Sequence, residues 1–196
     1  MHPPAGLRLP VPFARVALIG AVTGCAGPPG DTGPADTGTP WNPVPYSDDG
    51  AGTLFVNEFQ ASNQATLVQP DGGTPDWIEL FDPGAADLDL EGFFATDDLA
   101  VPDRYAIPAG VTVPAGGFLL LYADGSPELG PDHLPFKLSA SGEQIGLYEP
   151  DGTVVNEIVF GVQPADRSAA RVPDGGPDWA FDLTPTPGAT NGEAGR

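Results

Sequence analysis

Carboxylates are the side chains this sequence offers most freely for chemistry: 27 Asp and Glu against 7 Lys and Arg in 196 residues, a formal net charge of −20. Several stand close together, Asp76 with Glu79, Asp87 with Asp89, and Asp97 with Asp98. Two carboxyls held at a set separation across a cleft cleave glycosidic bonds, one as acid and the other as base or nucleophile. Spacing in the chain fixes neither the separation nor the cleft, so a hydrolase built on such a pair stays open as one reading. Calcium is another use for loop acids, since it takes about six to eight oxygen ligands. Asp97, Asp98 and Asp103 bracket one loop and are the calcium candidates, while Asp71 and Asp76 bracket a second. No D-x-[DN]-x-[DN]-G spacing organises them, and solvated loop acids are the plainer reading. Nucleophilic catalysis needs a base, and the histidines are His2 and His133, the latter in the loop Pro131-Asp132-His133-Leu134-Pro135, where a solvated ring is expected. Gly-x-Ser-x-Gly, P-loop, His-Glu-x-x-His and paired metal-cysteine motifs are all absent. The chain is therefore read as no enzyme, with no cofactor unless it is calcium.

The single cysteine, Cys25, points elsewhere. Arg8 and Arg15 precede an apolar run, Val16-Ala17-Leu18-Ile19-Gly20-Ala21-Val22, that leads through small residues to the thiol. This is the order of a secretory signal, too short for a span of ~20 apolar residues. Val22-Thr23-Gly24-Cys25 resembles the bacterial lipoprotein lipobox. The resemblance implies cleavage before Cys25, a diacylglycerol on its sulfur and a further acyl chain on its amine. With ~0.8 kcal/mol per buried methylene, more than one chain anchors a protein stably where one does not. Ala26, in place of an Asp, favours the outer membrane or cell surface over the inner membrane by the same resemblance.

Removing residues 1–24 takes two basic residues and no acidic ones, leaving 5 against 27, a net −22. Such a surface excludes nucleic acid as a direct partner, because that affinity comes from Lys and Arg on phosphates. Residues 25–52, rich in Pro, Gly, Asp and Thr, carry too little apolar surface to offset chain entropy. They are read as a linker without secondary structure, reaching roughly 30 Å as a coil.

From Thr53 the texture changes. The runs 53–60, 77–82, 90–95, 104–107, 117–123, 144–149 and 154–160 have strand length and β-branched or aromatic enrichment. Turn residues separate them, and Asp151-Gly152 between two runs is a hairpin signal. Prolines interrupt almost every helical pattern, and only 61–69 leaves room for a turn or two. Trp77 belongs to an apolar strand and is expected in the core; Trp179 is expected to cover a sheet edge near the C-terminus. Seven or eight short strands at this spacing make an all-β sandwich, large enough to fold without disulfides.

The motif order is also familiar. Leu54-Phe55-Val56-Asn57-Glu58-Phe59, Asp76-Trp77-Ile78-Glu79-Leu80, Leu90-Glu91-Gly92-Phe93, Ile107-Pro108-Ala109-Gly110, Phe136-Lys137-Leu138-Ser139 with Gly142-Glu143, Asp151-Gly152 and the closing Pro185-Thr186-Pro187-Gly188-Ala189-Thr190-Asn191 together resemble the bacterial lamin tail domain family. Phe81-Asp82-Pro83, Gly92-Phe93-Phe94 and Asn156 depart slightly from its pattern. The resemblance implies an immunoglobulin-like β-sandwich and a non-catalytic module of the kind found on secreted or surface proteins in bacteria and on nuclear lamins in animals. The expected organisation is a lipoprotein signal at 1–24, lipidated Cys25 with its linker to 52, the sandwich over 53–192, and a tail at 193–196. The expected role is a lipid-anchored envelope protein presenting one domain to a protein or glycan. A calcium-dependent adhesion domain is the alternative, and an accessory to, or remnant of, a secreted hydrolase is the third.

Overall fold

The computed structural model describes residues 44–47 and 52–192, which lie within one compact unit. In chain order the strands are β1 (Val44–Ser47), β2 (Phe55–Gln60), β3 (Asp76–Phe81), β4 (Leu88–Asp89), β5 (Phe94–Thr96), β6 (Tyr105–Ala106), β7 (Thr112–Val113), β8 (Phe118–Ala123), β9 (Glu143–Tyr148), β10 (Val154–Phe160), β11 (Ser168–Arg171) and β12 (Trp179–Leu183). They form two five-stranded sheets, ordered β1-β10-β9-β5-β6 and β12-β11-β2-β3-β8, plus a ribbon of β4 with β7. Every pairing between these strands is antiparallel.

Alternation along each strand sends one set of side chains between the sheets. Val56, Phe59, Ile78, Leu80 and Leu121 from one sheet meet Ala95, Ile145, Leu147, Val155, Ile158 and Phe160 from the other in one buried core. The Phe59 and Phe160 rings touch across it with centroids 4.7 Å apart. The fold is an immunoglobulin-like all-β sandwich. Asp151-Gly152 does make the β9–β10 hairpin turn: Gly152 takes φ +87°, which a glycine adopts without steric cost, and Glu149 N–H donates to Thr153 O at 2.8 Å.

Several expectations are corrected. The described residues hold twelve strands where seven or eight were expected. Four residues of the segment read as a linker without secondary structure form β1, which pairs with β10 through Val44 opposite Val159 and Ser47 opposite Glu157. Residues 61–69 form no helix. Side chains capture the amides that a helix would need: Asn63 Oδ1 accepts from Thr66 and Leu67 N–H, both at 3.1 Å, and Asp166 Oδ1 accepts from Gln64 at 2.9 Å and Ala65 at 2.8 Å. Trp77 is fully buried, but its position alternates with Ile78 and Leu80, placing it on the face turned away from the other sheet. Its indole N–H donates to Gln60 Oε1 at 3.0 Å. Trp179 lies in the edge strand β12 with its ring centroid 5.7 Å from that of Phe59.

Candidate functional site

The polar residues of β2 and β3 converge on that outward face. Val56 lies opposite Leu80 and Glu58 opposite Glu79, so the register slips by one residue and Asn57 is the extra one. A bulge of this kind turns two consecutive side chains toward the same side. Asn57 Nδ2 donates to Glu79 Oε1 at 3.1 Å and to Asp174 Oδ1 at 3.0 Å, while Asn57 Oδ1 accepts from Gly175 N–H at 3.0 Å. Asn57, Glu58 and Glu79 are all fully buried.

What buries them is the chain's own C-terminal segment. Thr186 N–H reaches Glu58 Oε1 and Oε2, both at 3.2 Å, and Thr186 Oγ1 lies 3.1 Å from Glu58 Oε2. Gly188 N–H donates to Glu79 Oε2 at 2.6 Å. Asn191 N–H donates to Asp174 Oδ1 at 3.0 Å, and Asn191 Nδ2 donates to Arg171 O at 3.0 Å and to Asn57 O at 3.4 Å. Arg171, itself fully buried, donates from Nε to Val56 O at 2.8 Å and from Nη1 to Gly176 O at 2.6 Å, with its guanidinium between the Phe55 and Trp179 rings.

Burial away from water penalises the charged form of a carboxyl. It pushes Glu79 up to about 7, with bonds from Asn57 and Gly188 pulling the other way and the charges of Glu58 and Asp174 adding to the rise. Burial raises Glu58 as well, against the pull of the Ser168 hydroxyl and of Thr186. Two adjacent acids, one of them titrating near neutrality, have the protonation chemistry of a general acid and base. They lack the access: both oxygens of Glu79 already accept from the fold, and Glu58 lies beneath Thr186.

The sequence-predicted candidates lie elsewhere. Asp76 shares the parity of Ile78 and Leu80 whereas Glu79 shares that of Trp77, so this pair points to opposite faces of β3. Asp87 Oδ1 accepts from Ala115 N–H and Asp89 Oδ1 from Glu91 N–H, both at 3.0 Å, each holding a turn. In the loop proposed for calcium, Asp97 Oδ1 meets Arg104 Nη1 at 2.5 Å, Asp98 Oδ1 accepts from Ala100 N–H at 2.8 Å, and Asp103 is exposed. The loop thus sets its own guanidinium against Asp97. Among the described residues no three His, Cys, Asp or Glu side chains are grouped to hold a metal ion. Cys25 lies outside the described residues.

His133 is not the solvated ring expected. Its loop folds back along β8, with Tyr122 N–H donating to Asp132 O and Leu134 N–H to Tyr122 O, both at 2.8 Å. That contact buries the ring, brings Nδ1 to 2.6 Å from Asp124 Oδ2 and sets it 4.9 Å from the Tyr122 ring. The histidine also lines a shallow open groove with Gln69, Pro70, Asp71 and Leu129.

A family model for the Lamin Tail Domain matches residues 48–161. The chain belongs to the lamin tail domain family. This family consists of non-enzymatic immunoglobulin-like modules, and the geometry agrees, since Asn57, Glu58 and Glu79 serve to fasten the domain's own C-terminus. β11, β12 and the closing segment fall beyond the matched stretch, yet they complete the sheet that β2 and β3 begin. No curated protein matches the chain. The motifs around Asn57, Glu79 and Asn191 are each visible in the sequence, but nothing local says that they meet. The signal available was an Asn-Glu pair inside an apolar strand and a lone Glu inside Trp-Ile-Glu-Leu.

Proposed function

We propose that this chain is a lipid-anchored envelope protein that holds one non-catalytic lamin tail domain away from the membrane as a binding or structural module. The observation that carries the non-catalytic half is the burial of Glu58 and Glu79 under residues 185–191, with their oxygens engaged by Asn57, Thr186 and Gly188. Support for the anchor comes from Val22-Thr23-Gly24-Cys25 at the exit of a signal-like run in a chain with no other cysteine. Among the described residues no helix is long and apolar enough to cross a membrane. The acyl chains on Cys25 would then be the attachment, at the outer membrane or cell surface. The partner is a protein or a glycan, and repulsion by an acidic surface disfavours nucleic acid and anionic headgroups.

Radiolabelled palmitate fed to cells expressing the full chain tests the anchor. Label is expected on the wild type and none on a Cys25→Ala variant, which should also leave the membrane fraction. Label persisting on that variant would refute the anchor.

A further inference from the structure

The hydrogens that close the C-terminal segment can be counted. Asn191 Nδ2 lies against two carbonyl oxygens, those of Arg171 and Asn57, which fixes the amide orientation and leaves Oδ1 facing Thr186. Thr186 Oγ1 is 2.8 Å from Asn191 Oδ1, an acceptor with no hydrogen of its own, and the Thr186 hydroxyl has a single hydrogen to give. The same Oγ1 is 3.1 Å from Glu58 Oε2. Thr186 Oγ1 thus has one hydrogen for two oxygens, and both contacts are hydrogen bonds at once only when a second hydrogen sits on Glu58. If Glu58 ionises, one of these two contacts becomes a pair of oxygens with nothing between them, in a place where water does not substitute.

The other acids do not need a proton in the same way. Both oxygens of Glu79 accept N–H groups, from Asn57 and Gly188, and Asp174 Oδ1 accepts from Asn57 and Asn191. The charged groups facing Glu58 are Glu79 from β3 and Asp174 from the turn after β11, both acidic. Arg171 at the end of β11 directs Nε and Nη1 to carbonyls, and Ser168 of β11 brings only a hydroxyl. The closing segment itself contributes Thr186 and Asn191, which carry no charge.

We propose that Glu58 carries a structural proton that latches residues 185–191 onto the β2–β3 face, and that the latch opens as the pH rises and this proton is lost. The elevation of the Glu58 carboxyl by burial, with Asp174 adding to it, agrees with the hydrogen count. Opening frees the segment from Glu58 first, then exposes Glu79 and Asn57 to solvent. The device makes closure of this face sensitive to the pH of the compartment.

Hydrogen exchange on the intact chain tests this, read at Thr186, Gly188 and Asn191 at about pH 5.5 and about pH 8.5 and corrected for intrinsic exchange rates. Protection at these amides is expected to fall by about tenfold or more at the higher pH. A Glu58→Gln variant donates permanently from Nε2 to Thr186 Oγ1, and most of the pH dependence at Thr186 should vanish. Unchanged protection in the wild type, or an undiminished pH response in Glu58→Gln, would overturn the latch. If that variant fails to fold, carbon-13 titration of the wild-type Glu58 carboxyl decides: a midpoint above that of an ordinary glutamate supports the proposal, and a midpoint at or below it refutes it.

Discussion

Ending the chain at Leu183 is expected to lower the unfolding free energy by about 5 kcal/mol, from the loss of hydrogen bonds worth about 1 kcal/mol each net, more where a carboxylate accepts. The bonds lost are those from Thr186 to Glu58, from Gly188 to Glu79, and from Asn191 to Asp174, Arg171 and Asn57. Asn57, Glu58 and Glu79 then lose the segment that covers them, and their polar groups meet solvent. Urea denaturation measures the effect. A midpoint unmoved by truncation would mean that the segment only rests on the sheet.

Asn57→Ala carries the second large effect, a loss of roughly 3 to 4 kcal/mol, because it removes a carboxamide that joins three buried groups. Its Nδ2 is the donor shared between Glu79 and Asp174, and its Oδ1 holds the Gly175 N–H. Without it two carboxyl groups face each other with no hydrogen between them, a worse outcome than deleting both partners. Asn57→Asp keeps the shape yet is expected to cost at least as much, since it removes the donor and adds another acid beside Glu58, Glu79 and Asp174. A loss below about 1 kcal/mol for either variant would show that the cluster is hydrated and that the carboxamide is replaceable by water.

How much of this was legible depended on whether the signal was local. β2, β3, β8, β9 and β10 were readable to within a few residues because apolar alternation and turn glycines are local features. Ser168-Ala169-Ala170-Arg171 has no strand signature; small residues form β11 because β2 and β12 pair with it on either side. The sharp turns of 61–69 depend on Asp166, a hundred residues away, whose side chain gathers three backbone amides. Asp166 adopts φ +56° to do so, uncommon for a residue with a Cβ. His133 looked solvated because its loop is polar, but that loop folds back along β8, which buries the ring and brings it to Asp124.

The candidate site was legible only as disconnected pieces. Asn57-Glu58, Glu79 and Thr186 to Asn191 were each visible as motifs, but the contact from Thr186 to Glu58 spans 128 residues. Nothing in their spacing says that two acids share a buried face. The pairs that did look chemical were separated by strand geometry, as with Asp76 and Glu79, or used on turns, as with Asp87 and Asp89. Acidic residues in this domain act as caps and clamps for the backbone, which suits a module that presents a surface better than one that turns over a substrate.

That account is tested most directly by the unfolding free energy measured across pH. Glu79 in the folded domain holds its proton up to about 7 against 4.5 for an ordinary glutamate, and burial raises Glu58 in the same direction. The folded state therefore binds more protons than the unfolded chain in this interval. The stability from these groups is fully present below the unfolded value and is lost as pH rises through the folded one. The Glu79 interval alone corresponds to about 3 kcal/mol. Asp151 and Asp166 are lowered by hydrogen bonds from backbone amides, so they act only at more acidic pH, whereas burial raises Asp76 and Glu143 in the same direction as Glu58 and Glu79 and adds to the fall. Stability is expected to fall by about 3 kcal/mol between about pH 5 and about pH 8.5. A flat or rising profile over that window would mean that Glu58 and Glu79 are ionised and open to solvent, contradicting the claim that they are buried fastenings of the fold.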